Sequence, residues 1–472
     1  AAKHHIIDGL TIRNAYIGLD VGDGRNDLAG ENIIVQNCTF ENVHRAVTGD
    51  DVEVIATNVS ENAFPERFEG TWTIVTDGTP EMPITIKPFG DGPVVFDGNG
   101  TYLMFDTMAA DHLIFENLIF TNCFMTIEAG GRLGQIGSTG LTIKANRFED
   151  VIIGLFALNG RNRDFTILDN FLISQNATRG RDVPIAGGYG VVLNGAGHAV
   201  AYNHVEAFWD SLNVLTSASP LPNQRAWSMD FYNNYCIGAR DNIFEIDGGM
   251  WNIRIRNNLV GYSNSFAFSS QPLYAGPGYY YRNILYHGNM GKALRSGGIF
   301  YINNTVVGAT GHMKNVLNSA FLSLGVEDGA TDRRGRPVTV AEASGDFSNN
   351  AWRLGGDPAP GIFRGFGNNR YDTFEAFKAE AAQHDILADF SDFVNVPKPA
   401  DLASKADPTP PFPFDIKALN FHPAEGSPLI DAGMVIPGLT DDYVGEAPDI
   451  GALEKGRPAP HYGPRTEPPT AN

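Results

Sequence analysis

Basic residues are in short supply. The 472-residue chain carries 34 Lys and Arg against 54 Asp and Glu, a formal net charge of -20. Nucleic-acid binding needs clustered Lys and Arg, so that function class is disfavoured, as is adsorption to anionic membrane surfaces. Cysteine is scarce: Cys38, Cys123 and Cys236 form an odd set without CxxC or Cys/His spacing. This argues against a disulfide framework or zinc site and leaves small buried residues within apolar strands. No apolar run approaches the length of a membrane span. No secretory leader is visible, and the opening HHIIDGLTIRNAYIGLDV already reads as strand. An unpaired strand end is a liability, so a capping segment and a leader are expected upstream of this sequence.

Helical periodicity is nearly absent as well. What replaces it is an asparagine that returns at the end of short apolar strands: Asn146, Asn170, Asn203, Asn234, Asn258, Asn283 and Asn304, with weaker copies at Asn14, Asn37, Asn117 and Asn350. A repeat of about 20 to 30 residues made of strands and turns marks a solenoid whose units cannot bury their apolar faces alone. The expected fold is an all-β, right-handed parallel β-helix. Its coils stack about 4.8 Å apart, so an Asn at one corner can pass amide hydrogen bonds up the stack and tolerate the left-handed backbone of a corner.

The coil is expected over 1–370, with loop excursions near 61–95, 176–189, 217–227 and 308–346, the last containing the basic run Asp332 to Arg336. One helix is predicted over 371–382, capped by Asp372 or Thr373, with Phe374 and Phe377 on one face. A Pro-rich cap to residue 455 is expected to wrap the end of the stack, and 456–472 to be an extended tail.

Acidic residues concentrate in two consecutive coils. Asp210 and Asp241 each lie seven positions past a ladder Asn, which would stack them about 5 Å apart. Like charges so close raise a pKa or hold a cation. A one-residue bulge would set Asn213 beside Glu245 instead. Glu245 and Asp247, two apart on a strand, would face the same way at about 7 Å, a separation suited to an acid and base flanking a glycosidic bond. Asp230 lies on the strand between. Turn chemistry around Asp247-Gly248-Gly249 and structural calcium at Asp210, Asp241 and Glu245 are the alternatives. Trp209, Trp227, Trp251, Tyr274 and Tyr279 supply flat faces for pyranose rings. Arg254, Arg256 and Lys292 could hold an acidic sugar, and Lys292 or Tyr274 could act as a base. His198 and His204, flanking the Asn203 strand, read as surface or turn residues.

The ladder, the SPLIDAG (Ser427–Gly433) and PDIGALE (Pro448–Glu454) segments, and the block from Met229 to Gly308 resemble bacterial secreted right-handed β-helix proteins active on carbohydrates. That family includes polysaccharide lyases, glycoside hydrolases and uronate epimerases. The resemblance implies a secreted or periplasmic protein acting on a polysaccharide or oligosaccharide. Motifs of its better-defined branches are missing: no DPHD, no Gly-His-Gly, and no Lys close behind Glu245-Ile246-Asp247. The acidic set therefore favours a glycoside hydrolase with Asp241, Glu245, Asp247, Asp210 and Asp230 as candidate catalytic residues, no required cofactor, and calcium as an option. The alternatives are a lyase or C5-epimerase on a uronate glycan, and a non-catalytic glycan-binding solenoid.

Overall fold

The computed structural model describes strand backbone between residues 6 and 57 and most of residues 71–470; the intervals left out are 90–91, 132–136, 176, 178–186, 216–224, 264–265, 271–272, 289–290, 294–297, 309–344, 354–362, 365–369, 372, 398–411 and 413–414. Most of the expected excursions at 176–189, 217–227 and 308–346 therefore lie outside the described residues, as do the side chains of Asn14, Asn37 and Lys292.

Short strands pair in parallel with the strand one coil on, which makes the fold a parallel β-helix. A first sheet runs through thirteen strands, among them Leu113–Glu116, Ala199–Ala201, Met229–Tyr232, Ile253–Arg256, Gly278–Tyr281 and Ile299–Ile302. Two further sheets share the long strands Val95–Asp106, Ile119–Glu128 and Arg147–Ala157, which pair along both halves, and part after the last of these. Its first half pairs with Phe171–Ser174 in the second sheet, while its second half pairs with Tyr189–Leu193 in the third. The second continues through His204–Glu206, Tyr235–Ile237 and Leu259–Gly261, and the third through Asp210–Asn213, Asn242–Glu245 and Phe266–Ser270. Alternation sends Ile, Val and Phe inward, where identical positions stack on successive coils: Phe244 on Phe268 at 5.6 Å, Tyr280 on Tyr301 at 4.8 Å, Tyr301 on Phe347 at 5.3 Å.

The ladder is continuous. The Nδ2 of each Asn donates to the Oδ1 of the next, from Asn146 through Asn170, Asn203, Asn234, Asn258, Asn283 and Asn304 to Asn350, at 2.9–3.1 Å. Each amide also donates to a carbonyl of the preceding coil, as Asn234 does to Val200, so these buried groups leave little unpaired. Two details differ from expectation. The left-handed residue is the one before the ladder Asn: Ala145, Asp169, Tyr202, Asn233, Asn257, Arg282, Asn303 and Asn349 all have φ between 50° and 59°. Asn117, at φ 57°, belongs to that column, and Leu118 holds the ladder position, its backbone N–H donating to the Asn146 Oδ1. The Asn-Asn pairs of the sequence are thus one left-handed residue followed by one rung.

The ladder ends on a carboxylate. Asp385, fully buried, accepts from the Asn350 amide and from the Trp352 indole at 2.8 Å. A helix, Phe374–Glu380, closes this end, with Thr373 as N-cap and Phe374 and Phe377 buried against the last coil. Beyond it the chain does more than wrap the end. It doubles back along the second sheet, stacking Phe412 on Tyr262 at 4.6 Å and Lys417 over Tyr235 at 4.2 Å. The SPLIDAG and PDIGALE segments pair with each other, Ile450 N–H to the Leu429 carbonyl, and with the coil, Gly451 N–H to the Asn349 carbonyl. Residues 456–470, the expected extended tail, continue this strap, where Arg465 holds Asp169 at 2.6 Å. Its prolines donate no hydrogen bonds of their own, and the coil corner supplies the partners that the sequence alone does not reveal.

Candidate functional site: an acidic wall on the third sheet

The strand Asp210–Asn213 pairs with Asn242–Glu245 so that Leu212 meets Phe244 and Asn213 meets Glu245. This is the bulged register. The direct stacking of Asp210 on Asp241 does not occur: the Asn242 backbone N–H donates to the Asp210 Oδ1 at 2.8 Å, and Asp241 sits one residue earlier, its N–H on the Trp209 carbonyl. The three carboxylates nevertheless converge, with one oxygen each of Asp210, Asp241 and Glu245 within 4.8 Å of one another.

Asp210 is 3% exposed, and Asp241 and Glu245 are half-buried. Burial, then the Glu245 charge, pushes the Asp210 carboxyl well above the carboxylate range. Burial, then the Asp247 charge, raises Glu245 to about 7. Asp210 and Glu245 hydrogen-bond to each other, which requires a proton between them. Asn242 Nδ2 donates to the Glu245 Oε2 at 2.7 Å. Tyr189, in register with Asp210 one coil earlier, has its phenol raised by burial and by both carboxylates. Asn213 is fully buried, and among the described residues neither its Oδ1 nor its Nδ2 has a partner. An orphaned amide beside a crowd of carboxylates suits a hard cation, which takes carboxylate and amide oxygens alike. Asn213 enters through the bulged alternative, while Asn242 and Tyr189 escape a motif search because only the register gathers them.

The remaining candidates fall elsewhere. Asp247 lies just past the Glu245 strand and accepts from the Ser269 Oγ at 2.9 Å; Gly248, at φ 84°, then turns the chain. Asp230 is on the first sheet, paired with Arg254 at 2.5 Å. Arg256 lies over the Tyr232 ring on that sheet, and Tyr279 stacks on Phe300 there. Asp247 borders the wall through its charge on Glu245, whereas Asp230, Arg254, Arg256 and Tyr279 lie on the first sheet, away from it. Trp209 is half-buried at the corner leading into the third sheet; Trp227 and Trp251 lie against each other, tilted by 32°, at the corner leading out of it, and Tyr274 lies one coil past Gly249 at that exit. Lys292 occupies the register position after Ser269, which itself follows Glu245. His198 is not at the surface: it is buried, takes the Phe165 N–H on Nδ1, and is driven down to about 4 by burial. Cys123 and Cys236 are buried free thiols, Cys123 pushed up to about 12.

No family model and no curated protein matches the chain. Among solved structures it is similar to a PL6-family alginate lyase, AlyGC, at 13% identity and TM-score 0.39, covering 80% of this chain and 43% of that one. It is also similar to the pectate lyase Pel9A, at 16% identity and TM-score 0.36, covering 94% and 96%. A third likeness is to the Dettilon tailspike protein, at 11% identity and TM-score 0.24, covering 72% and 62%. The chain thus spans less than half the length of the first of these. Among the described residues no helix is long and apolar enough to cross a membrane.

Proposed function

We propose that this protein is a secreted carbohydrate-active enzyme that cleaves a uronate-containing polysaccharide at the acidic wall by β-elimination, with a divalent cation, calcium by its ligand chemistry, held by Asp210, Asp241, Glu245 and Asn213. The observation that carries this reading is the convergence of three carboxylate oxygens beside the orphaned Asn213 amide. Without a cation the group must trap protons; with one, the carboxylates are compensated and Asn213 gains a partner. The bound ion would neutralise a uronate carboxylate and so acidify the neighbouring C–H. The protein's own residues do the rest. The wall orients the sugar, and Lys292, sharing a register column with Asn213 and Glu245, is the base that takes the proton. Tyr189, kept neutral by its raised pKa, can protonate the departing glycosidic oxygen.

This departs from the hydrolase expected from the carboxylates alone. Asp210 is too buried, and too occupied with Glu245 and Asn242, to flank a glycosidic bond. One observation keeps hydrolysis as a second reading: Glu245, at about 7, is poised as a general acid, with Asp247 as its base. Incubation with alginate, polygalacturonate and neutral glycans separates the two. Elimination leaves an ultraviolet-absorbing double bond at each new non-reducing end and stops on chelation. Hydrolysis yields reducing ends without that absorbance. The lyase reading fails if chains shorten with no double bond formed, or if chelation leaves the rate unchanged.

A further inference from the structure

At the corner between the third and first sheets, one register position reads Thr139, Arg163, Ala196, Trp227, Trp251 and Gly276 on successive coils. The Trp227 and Trp251 rings lie 5.6 Å apart at 32°. The Arg163 guanidinium reaches past the small Ala196 to sit 4.8 Å from the Trp227 ring. One side of the pair is thereby capped by a cation. On the other side the next coil offers Gly276, without a side chain, beside the exposed Ala275. Trp251 is 36% exposed, a large apolar ring left in contact with water. Among the described residues the stack is thus cation, indole, indole, then a glycine position one coil on.

We propose that a pyranose ring of an acidic polysaccharide occupies that position, stacked on the Trp251 face as a subsite remote from the acidic wall. The flat C–H face of a sugar matches an indole, as another ring would. Basic side chains gather at this corner in a chain whose net charge is -20. Arg163 caps the stack, Arg225 stands two residues before Trp227, and Arg254, paired with Asp230, stands three after Trp251. Three residues separate Trp251 from Asp247 at the border of the wall, through the Gly248 turn, a contour of at most about 14 Å. A single glycan chain can therefore lie on both sites. The identity of the ligand rests on the proposed uronate substrate; its binding at Trp251 requires no cleavage.

The test is affinity electrophoresis of the full chain through gels containing alginate, polygalacturonate or neutral dextran, in a Glu245→Gln background so that embedded glycan stays intact. Retardation by a polyuronate and not by dextran is expected. Trp251→Ala should weaken it about tenfold, while Trp251→Phe retains most of it. Ala275→Asp, at an exposed position and so harmless to folding, should weaken it by charge repulsion. Unchanged retardation in both Trp251→Ala and Ala275→Asp overturns the subsite. Loss of retardation in these variants in a protein whose wild type never cuts a glycan leaves the subsite standing and removes the cleavage reading instead. Cleavage with unaltered retardation does the reverse.

Discussion

Asp210 on one coil and Glu245 on the next hold their carboxyls together across the third sheet: burial, then the Glu245 charge, raises the cost of ionising Asp210, while burial, then the Asp247 charge, raises that of Glu245 against the easing hydrogen bond from Asp210. That relationship has a sign in stability. Glu245 titrates near 4.5 when unfolded and near 7 when folded, so the folded state binds the proton more tightly. The resulting stability is complete below about pH 4.5 and is lost as pH rises through about 7, a swing of at most about 3 kcal/mol. Melting temperature in chelator should therefore fall across that window. Glu245→Gln should flatten the fall, and calcium should restore Tm at pH 8. A wild-type profile that is level from pH 4.5 to 7.5 would remove the shared proton.

Asn213 places an amide where, among the described residues, nothing meets it. A buried unpaired polar group costs about 1–3 kcal/mol. Asn213→Val removes that cost at similar shape on a strand and should raise Tm in chelator. It should also abolish the calcium-dependent gain in Tm and lower activity at least tenfold, because the ligand oxygen is gone. A variant no more stable than the wild type, with calcium response intact, would reduce Asn213 to a packing residue.

Much of this molecule is legible in its sequence, and the boundary is physical. The ladder Asn residues announce the coil because one side chain must repeat wherever one hydrogen-bonding geometry repeats. The left-handed column does not announce itself: Ala145, Tyr202 and Arg282 share it with Asn257, since each needs only one positive φ that its neighbours impose. The acidic wall was half visible. Counting from Asn203 and Asn234 aligns Asp210 with Asp241, and the structure slips that alignment by one residue, which brings Asn213 to Glu245. Register is a property of paired backbones, so no count along one chain determines it. Arg254 reads as a substrate-binding cation until the first sheet sets Asp230 beside it.

Asp385 receives what every other rung passes on. Both its oxygens accept, one from Asn350 and the other from Asn350 and the Trp352 indole, and burial raises it to about 7. Asp385→Asn is the smallest possible change, and it turns one acceptor into a donor facing another N–H. The cost should be about 1–3 kcal/mol, read as a lower urea midpoint with unchanged m-value. Asn234→Ala, in mid-ladder, removes the side-chain acceptor of the Asn203 backbone and side-chain N–H groups and the donor to the Val200 carbonyl and the Asn258 Oδ1 at a similar cost, so the terminal carboxylate should matter about as much as an interior rung.

The strap presents a different energetic case. Arg465 binds Asp169 through two guanidinium hydrogen bonds and one from its backbone N–H and lies 4.0 Å over the Tyr202 ring, while Gly463 donates to the Asn233 carbonyl and the His461 carbonyl accepts from the Asn233 amide. All three coil residues belong to the left-handed column, whose side chains point out at a regular step and give a returning segment a row of anchors. Arg465 itself is nearly half exposed, so Arg465→Ala should cost less than about 1 kcal/mol. Ending the chain after Lys455 removes every anchor at once and uncovers Tyr202, Tyr232 and Tyr235. Its effect should exceed the single substitution several-fold, with faster proteolysis at the bared corner and a lower Tm. Equal effects from the two changes would mean that the strap hangs on Arg465 alone rather than on the column it follows.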